Sequence, residues 1–323
     1  MDDHSFRWGA ALIVGMLVSL AAKIALGEMP STIKIVVPFS AGGGADIAAR
    51  HVADQIGHMQ GITAFVENRP GAASVIATEA VAHAEPDGST VLVAANSFII
   101  HPHLKKLSYD PLTSFEPICY LVRSPQVLAV NSASPYRTLP DLFEDARNKP
   151  GELTLASVGP ATAQQIAFEM LKRLAQVDIR HVPYPGNTPA VNALLGSHVT
   201  SVLANYPEIA EQAASGRLRA LATGSRVRID QLPDIPTIAE LGYRHFEAET
   251  WLGVVAPAKT PKETLSRLAD WFSAAIEVPV VKSKLVNLGL YPVGLCGSDF
   301  ALYLRKQYED YGRIIRDTLL QAN

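Results

Sequence analysis

The sequence predicts an α/β protein built from two lobes, and three features indicate this. Apolar runs of strand length alternate with segments of helical apolar spacing, which favours a mostly parallel sheet with helices on both faces. The alternation pauses at residues 115–131 and then restarts. A further apolar run at residues 252–256 returns the chain to the first unit. We therefore expect one lobe over residues 28–126 plus 250–323, a second over 127–249, and two hinge crossings between them.

The first lobe opens with a strand, a glycine-rich loop and a helix. β-Branched residues at 33–37 predict the strand, Pro38 ends it, and apolar residues at helical spacing predict a helix from Ala45. The loop between them reads Phe39-Ser40-Ala41-Gly42-Gly43-Gly44. A helix that begins here turns its first N–H groups, at the positive end of its dipole, towards an anion. A tight turn with no ligand is the alternative, and both interpretations stay open on this stretch alone.

The kind of anion follows from what this loop lacks. Ile47 stands where the dinucleotide motif needs its third glycine, and no Gly-Lys-Ser/Thr sequence is present. A small anion such as a carboxylate is therefore favoured over pyrophosphate. Asp46 agrees with that choice because its charge would repel a highly charged ligand, although a role at the helix dipole is its simpler interpretation.

Two further strands of the first lobe are predicted at residues 62–66 and 90–95, with an alanine-rich helix at 72–84 between them. Ligands of such sheets lie beyond the carboxyl ends of the strands. Asn96-Ser97-Phe98 directly follows the second of these strands and is therefore the second place where we expect ligand contacts.

The second lobe repeats the strand-loop-helix arrangement. Ser157-Val158-Gly159-Pro160-Ala161-Thr162 ends a strand, opens a helix, and offers two hydroxyls and a glycine to an anion. The remaining pattern predicts strands at 153–157, 179–182, 199–204 and 218–223, and helices at 139–148, 162–175, 189–195 and 207–215. Amphipathic helices at 261–275 and 300–320 follow the return strand. A cleft with helix N-termini on both walls is typical of a hinged binding protein.

Composition narrows the classes of function. The chain has 323 residues, 48% of them hydrophobic and 18% charged, with a net charge of −3, and it carries no basic stripe, so we expect no nucleic-acid partner. Arg7, an apolar run over residues 8–22 and the sequence Ala25-Leu26-Gly27 predict an export signal over residues 1–27 and a periplasmic protein. A membrane anchor is the alternative, but the run is shorter than the ~20 residues that span a bilayer.

The two cysteines, Cys119 and Cys296, are expected to be small core residues, since two cysteines do not make a disulfide framework. A bridge would require their Cα atoms to lie within about 7 Å of each other.

Catalytic and metal-binding patterns are weak. His101 and His103 flank Pro102 with no other ligand at metal-site spacing, and we interpret them as part of a solvated loop; no metal or cofactor is expected. No G-x-S-x-G elbow is present, and Ser157 has no base that the sequence identifies. His181 is interpreted as structural. We expect a binding protein, with an exported hydrolase that uses His181 or Ser157 as the alternative.

Several motifs, in order along the chain, carry a resemblance to a known family. They are VVPFSAGGGADIAAR from Val36, VENRPGA from Val66, EPDGSTVL from Glu85, YDPLTSFEPI from Tyr109, HVPYPGNTPAVNALLGSHV from His181, LRALAT from Leu218, LPDIPTIAELGY from Leu232 and FEAETWLGVVAPAKTP from Phe246. From about residue 32 to its end, the chain resembles the extracytoplasmic solute-binding receptors of tripartite tricarboxylate transporters, the Bug family.

The resemblance implies a type II periplasmic-binding-protein fold, a Venus flytrap that captures a small organic carboxylate. The ligand would pass to the membrane permease subunits of the transporter or be presented to a sensor kinase, and we expect a monomer. In the family, glycine-rich loops of both lobes hold the carboxylate. The implied ligand-binding residues are Phe39, Ala41, Gly42, Gly43, Asp46 and Ser97 in lobe one, Ser157, Gly159, Thr162, Tyr184, Gly186 and Asn205 in lobe two, and Trp251 at the return crossing.

Departures from the family pattern concern mainly the second lobe. Ala161 replaces a glycine, Gln165 a histidine and Ala204 an acidic residue, while Ser97-Phe98 replaces a threonine-histidine pair. These changes make the far wall of the cleft less polar. We therefore predict a monocarboxylate, or a partly apolar or aromatic acid, in preference to aspartate or citrate.

Overall fold

The computed structural model describes residues 30–159, 162–244 and 246–318, so the predicted signal peptide lies outside the described residues. The strands are β1 Thr32–Val37, β2 Thr63–Asn68, β3 Thr90–Ala95, β4 Phe115–Asn131, β5 Thr154–Val158, β6 Arg180–Tyr184, β7 Ser201–Asn205, β8 Leu218–Thr223, β9 Glu249–Pro257 and β10 Tyr291–Cys296. The helices are α1 Gly44–Gln60, α2 Val75–Ala82, α3 Asn96–Ile100, α4 Leu139–Asn148, α5 Ala163–Ala175, α6 Asn187–Leu195, α7 Tyr206–Ala214, α8 Lys262–Glu277, α9 Pro279–Asn287 and α10 Ser298–Thr318.

One strand, β4, connects two halves of the sheet. Its residues up to Pro125 pair with β9 and β10, and its residues from Gln126 onwards pair with β7 and β8. The first half has the order β2-β1-β3-β9-β4, and the second continues β4-β7-β5-β6. The chain therefore crosses from one half to the other within a continuous strand, and it returns through the segment that leads into β9.

The expected mostly parallel sheet is wrong in part. Only β2-β1-β3 and β6-β5-β7 are parallel, and every pairing made by β4 or β9 is antiparallel. The two crossings explain this. Strand β4 carries the chain out of the first half and β9 brings it back, so the two neighbouring strands run in opposite directions. Helix α9 and strand β10 were not predicted, and the apolar runs at 115–122 and 126–131 form the single strand β4.

Each half of the sheet is covered by helices on both faces. In the first half, Ile33 and Ile35 of β1 face α1, α8 and α9, whereas Val36 faces α2 and α10, as the two-residue strand period requires. The second half has a matching pair of clusters around β5 and β7. A small cluster that includes Ile100, Ala163 and Ile166 joins α3, α5 and α10 across the two halves.

Cys119 and Cys296 form a disulfide, so their expected role as no more than small core residues is wrong. Their Cα atoms are 4.0 Å apart because the residues are direct partners in the antiparallel pairing of β4 with β10. The bridge fixes strand β10 to the crossing strand.

Within the described ranges, none of the helices is both long enough and apolar enough to cross a bilayer.

Candidate functional site

A cavity of about 370 Å³ lies between the two halves of the molecule, where the carboxyl ends of the parallel strands lead into helices. The first turns of α1, α3, α5, α6 and α7 all reach its wall. The lining residues are Phe39, Gly43, Gly44, Ala45, Ala95, Asn96, Ser97, Val122, Ser124, Val158, Thr162, Ala163, Gln164, Pro185, Gly186, Asn187, Asn205, Pro207, Glu208, Thr250, Leu252 and Leu290. Backbone N–H groups in a first helical turn have no acceptor within the helix, so this wall is rich in hydrogen-bond donors.

The loop before α1 is held by a buried carboxylate. Asp46 is only 3% exposed and accepts hydrogen bonds from Gly42 N at 2.8 Å, Asn68 Nδ2 at 2.9 Å and Arg50 Nε at 3.1 Å. Burial raises the pKa of Asp46, but these hydrogen bonds and the Arg50 charge outweigh it and bring the pKa below its ordinary value. Asp46 therefore stays ionised and fixes the loop, which leaves Gly43 at the cavity wall.

Helix α5 begins at the opposite wall with a side-chain cap. Thr162 Oγ1 accepts a hydrogen bond from Gln165 N at 3.3 Å and donates to Gly159 O at 3.0 Å. Gly159 N in turn donates to Tyr184 O at 2.9 Å, which ties the end of β5 to the end of β6. The start of α5 and the start of α6 are thereby set side by side at the cavity.

The crossing strands close the back of the cavity. Thr250 of β9 donates its hydroxyl to Asn205 Oδ1 at 2.8 Å, which joins the return strand to the start of α7. Asn96 Oδ1 accepts from Trp251 N at 3.0 Å, which joins β9 to α3. Ser124 of β4 also lines the cavity, and its buried hydroxyl has no hydrogen-bond partner within the described residues.

Charge is scarce in this cavity. Among the lining residues, none is lysine or arginine, and Glu208 alone has a titratable side chain. Burial raises the pKa of the Glu208 carboxyl, and the nearby polar groups, which are its own backbone N–H and the side chains of Asn187 and Asn205, offset that rise only in part. Recognition of an anion here therefore rests on backbone N–H groups and neutral side chains.

The sequence-predicted residues divide into two groups. Those at the cavity wall are Phe39, Gly43, Ser97, Thr162, Gly186 and Asn205. Those that do not line it are Ala41, Gly42, Asp46, Ser157, Gly159, Tyr184 and Trp251. As ligand contacts, both groups remain predictions.

Strand alternation explains two of the residues away from the wall. Thr250 and Leu252 line the cavity, so Trp251 between them points to the other side, where it is 1% exposed and packs against Phe300 and Tyr303. Ser157 is fully buried beneath Val158 in the same way.

The structure brings Ser157 and His181 together. Ser157 Oγ lies 2.7 Å from His181 Nε2, and it also donates to Val158 O at 3.1 Å. Burial lowers the pKa of His181. The Ser157 side chain has no exposure to solvent or to the cavity, so the pair has the geometry of a structural hydrogen bond between β5 and β6.

Asn187, Glu208, Thr250 and Leu290 belong to the cavity wall but were not singled out in the sequence. Glu208 was missed because an acidic residue in a first helical turn is common at the helix dipole. The signal that could have found it is its position three residues after Asn205, on the helix that follows a strand end. Of the departures from the family pattern, Ala161 lies outside the described residues.

Groups of three or more metal-ligand side chains are absent from the described ranges. The expected solvated loop around His101 is wrong, because His101 is 2% exposed in a short helical turn and burial lowers its pKa to about 4. His103 contacts Tyr308 O at 2.8 Å through Nε2.

A second cavity of similar size, about 370 Å³, lies between α5 and α10. Its rim carries the ion pairs Arg226–Glu247 at 2.6 Å and Arg313–Asp310 at 2.7 Å, and Lys306 also pairs with Asp310. Ala163 at the start of α5 lines both cavities.

Comparisons with known proteins agree on one family. The family model described as tripartite tricarboxylate transporter family receptor matches residues 48–320. A protein of Pseudomonas sp. strain P51, named for the tcbD-tcbE intergenic region, is 32% identical over 317 residues, which cover 97% of this chain and 94% of that protein.

Solved structures give the same answer. The periplasmic binding protein BugD is 31% identical with a TM-score of 0.79, and the match covers 90% of this chain and 99% of BugD. The R. palustris protein Rpa4515, solved with adipate, is 28% identical with a TM-score of 0.82 and covers 90% of this chain and 98% of its own. The predicted type II periplasmic-binding-protein fold is thereby confirmed.

Proposed function

Because this chain belongs to the receptor family of the tripartite tricarboxylate transporters, we propose that it captures a small organic carboxylate between its lobes for delivery to a membrane permease. One observation carries the proposal: first helical turns from both halves of the sheet surround a single cavity. An anion there meets several N–H groups and several positive dipole ends at once, each worth about 0.3–1 kcal/mol and more when buried.

The first wall would hold the carboxylate through Gly43, Gly44 and Ala45. Their N–H groups precede the first bond of α1, which runs from Ile47 N to Gly43 O at 3.0 Å. A carboxylate that accepts two or three such bonds is strongly stabilised in its ionised form. Of the other predicted ligand residues, Phe39, Ser97, Thr162, Gly186 and Asn205 lie at the same wall or face it. We propose direct contacts for these residues and a supporting role for Asp46 behind the loop.

The proposed lobes are residues 28–126 plus 250–323 and residues 127–249. The change of partners within β4 between Pro125 and Gln126 supports this division. Ligand binding would close the lobes about β4 and β9, the hinge strands that line the back of the cavity with Ser124 and Thr250.

The ligand we propose is a monocarboxylate, or a partly apolar or aromatic acid. Apolar side chains such as Phe39, Leu252 and Leu290 make up part of the wall, and none of its described residues is a lysine or arginine that would balance a second negative charge. The additional negative charges of a citrate-like acid would therefore be buried without a compensating positive side chain.

We further propose that the protein acts by binding and release, without catalysis. Ser157 is fully buried outside the cavity wall, which argues against the hydrolase alternative. Export by the predicted signal at residues 1–27 would place the Cys119–Cys296 disulfide in an oxidising compartment, where such bonds persist. We propose that the protein is a monomer and that it delivers the bound ligand to permease subunits or presents it to a sensor kinase.

Thermal shift measurements against a panel of organic acids test this function, after native mass spectrometry of the purified protein for a retained ligand. A true ligand at 100 times its Kd stabilises the folded state by about 2.7 kcal/mol. We expect stabilisation by monocarboxylates or aromatic acids. Stabilisation by citrate-like polyacids alone would contradict the proposed ligand class, and turnover of a bound ester that is lost in His181→Ala would favour the hydrolase.

A further inference from the structure

Glu208 holds a position that anion binding alone does not explain. It lies in the first turn of α7, on the wall that the second half of the sheet contributes. A carboxylate that merely complements a helix dipole is normally exposed to solvent. Here the side chain lies inside the cavity in which the carboxylate ligand would bind.

Two buried acceptor atoms at this wall lack donors. Glu208 Oε1 accepts from Asn187 Nδ2 at 3.2 Å. Glu208 Oε2 and Asn187 Oδ1 are both buried and have no hydrogen-bond partner within the described residues. Buried acceptors in folded proteins are almost always paired with a protein group, a water or a ligand. Two neighbouring acceptors without donors therefore indicate that a donor group arrives from the cavity.

From this pair of acceptors, and on the basis of the proposed function, we propose that Glu208 and Asn187 select acids that carry a hydrogen-bond donor, a hydroxyl or an ammonium group, away from their carboxylate. The carboxylate is held by α1, and the donor group is held by the start of α6 and α7. Glu208 is the specificity-determining residue of this arrangement.

A second carboxylate on the ligand would be disfavoured at this wall. It would face the Glu208 charge in a partly desolvated site, and the described lining residues include no lysine or arginine that would offset the repulsion. An ammonium group gains the opposite effect, since it makes a charge-assisted hydrogen bond with the same carboxylate. The uncharged hydroxyl lies between these two cases.

Four acids with the same number of carbon atoms separate these possibilities: hexanoate, 6-hydroxyhexanoate, 6-aminohexanoate and adipate. Isothermal titration at pH 7 would compare the unmodified protein with Glu208→Gln, which keeps the shape but removes the charge. Glu211→Gln, an exposed glutamate on the same helix, is the matched control. Hexanoate measures the binding of the carboxylate by α1 alone, because it has no second polar group.

We expect the unmodified protein to bind 6-aminohexanoate and 6-hydroxyhexanoate at least about tenfold more tightly than hexanoate, which is about 1.4 kcal/mol. Glu208→Gln should abolish the advantage of the ammonium group and improve the binding of adipate, while Glu211→Gln changes neither. Preference for hexanoate or adipate that persists in Glu208→Gln overturns the inference and leaves the proposed function intact. Binding of adipate that is tightest in the unmodified protein also overturns it, because an ionised Glu208 would repel the second carboxylate. Failure of all four acids to bind contradicts the inference, whereas the proposed function fails when no acid of the wider panel stabilises the protein.

Discussion

Two cavities of about 370 Å³ in the described part of the chain are lined in opposite ways. The first is formed largely by helix beginnings, and among its described lining residues Glu208 alone carries a charged group. The second is formed by the sides of α5 and α10 and is rimmed by side chains of both signs. Size therefore does not distinguish a binding cavity from a gap between packed helices; the state of the donors and charges does.

The charged side chains that line the second cavity are already paired, Glu249 with Arg123 and the others with one another. Arg226 pairs with Glu247, while Arg313 and Lys306 share Asp310. These basic side chains are at least 65% exposed, so water competes for them and each pair contributes little. In the first cavity, the N–H groups at helix starts have no acceptor within their own helices. Because these N–H donors are unsatisfied, the first cavity is better suited than the second to bind an anionic ligand.

The largest test of this contrast is Gly43→Val. A Cβ atom at Gly43 would meet only Ser40 O at 3.7 Å, so the fold tolerates a side chain there. The added methyl groups would occupy the place where the backbone must approach the carboxylate. We expect a loss of affinity of about 100-fold or more, which corresponds to about 2.7 kcal/mol, measured by titration with the acid that stabilises the unmodified protein most.

Lys306→Met supplies the matching change at the rim of the second cavity. Lys306 is 70% exposed, and its loss should alter both stability and carboxylate affinity by less than about 0.5 kcal/mol. A large loss of affinity in Lys306→Met, with Gly43→Val unaffected, would reverse the assignment of the two cavities.

The next test concerns the loop before α1, which forms part of the first cavity wall. Asp46→Asn removes a buried charge that accepts from Gly42, Asn68 and Arg50, and should destabilise the protein by about 1–3 kcal/mol at pH 7. Since the folded-state pKa of Asp46 is lowered, its contribution is present above the unfolded value near 3.8 and is lost as the pH falls through the folded value. Denaturant unfolding at pH 7 and pH 3 should therefore show a difference that shrinks in acid.

The control is Asp54→Asn, an exposed aspartate on the same helix, which should leave the unfolding midpoint unchanged. Equal stability of Asp46→Asn and the unmodified protein at pH 7 would remove Asp46 as the support of the loop.

The smallest test addresses the lone charge of the first cavity. Glu208→Gln should raise the melting temperature of the ligand-free protein at pH 7 by about 2 °C, because it relieves a partly desolvated carboxylate. The folded-state pKa of Glu208 is raised, so its favourable contribution is complete below its ordinary value of 4.5 and is lost as the pH rises through the folded value. The gain of Glu208→Gln should thus be near zero at pH 4 and grow towards pH 7.

Scanning calorimetry with Glu211→Gln as the exposed control measures this difference. A gain that is the same at pH 4 and pH 7 would mean that the charge of Glu208 is not its cause.

How much the sequence revealed depended on the range of the interactions. Local patterns placed β1, its loop and α1 well, because β-branching, Pro38 and helical spacing act over a few residues. Long-range pairing was not readable: Cys119 and Cys296 are 177 residues apart, and only the pairing of β4 with β10 makes them neighbours. Strand β10 itself was not predicted, and Pro292 and Gly294 within it are residues that disfavour a strand interior.

The site showed the same division. Gly43, Thr162 and Asn205 were found because strand-to-helix junctions are visible in a sequence. Trp251 was placed at the cleft without regard to strand alternation, which sends Thr250 and Leu252 to the cavity instead. For Glu208 the local signal is only its position three residues after Asn205, and that position does not separate an exposed helix start from one that faces another lobe.

None of the described residues in the first cavity wall is lysine or arginine, and this has a consequence for release of the ligand. A departing acid would leave behind no side-chain cation that needs a replacement counter-ion. Water can solvate the freed N–H groups of α1 and the acid together once α1 and α7 move apart, whereas a buried arginine would resist losing its partner. In the proposed receptor, a permease would therefore need only to hold the two lobes open. Water would then replace the bound carboxylate, and no competing ion would be required.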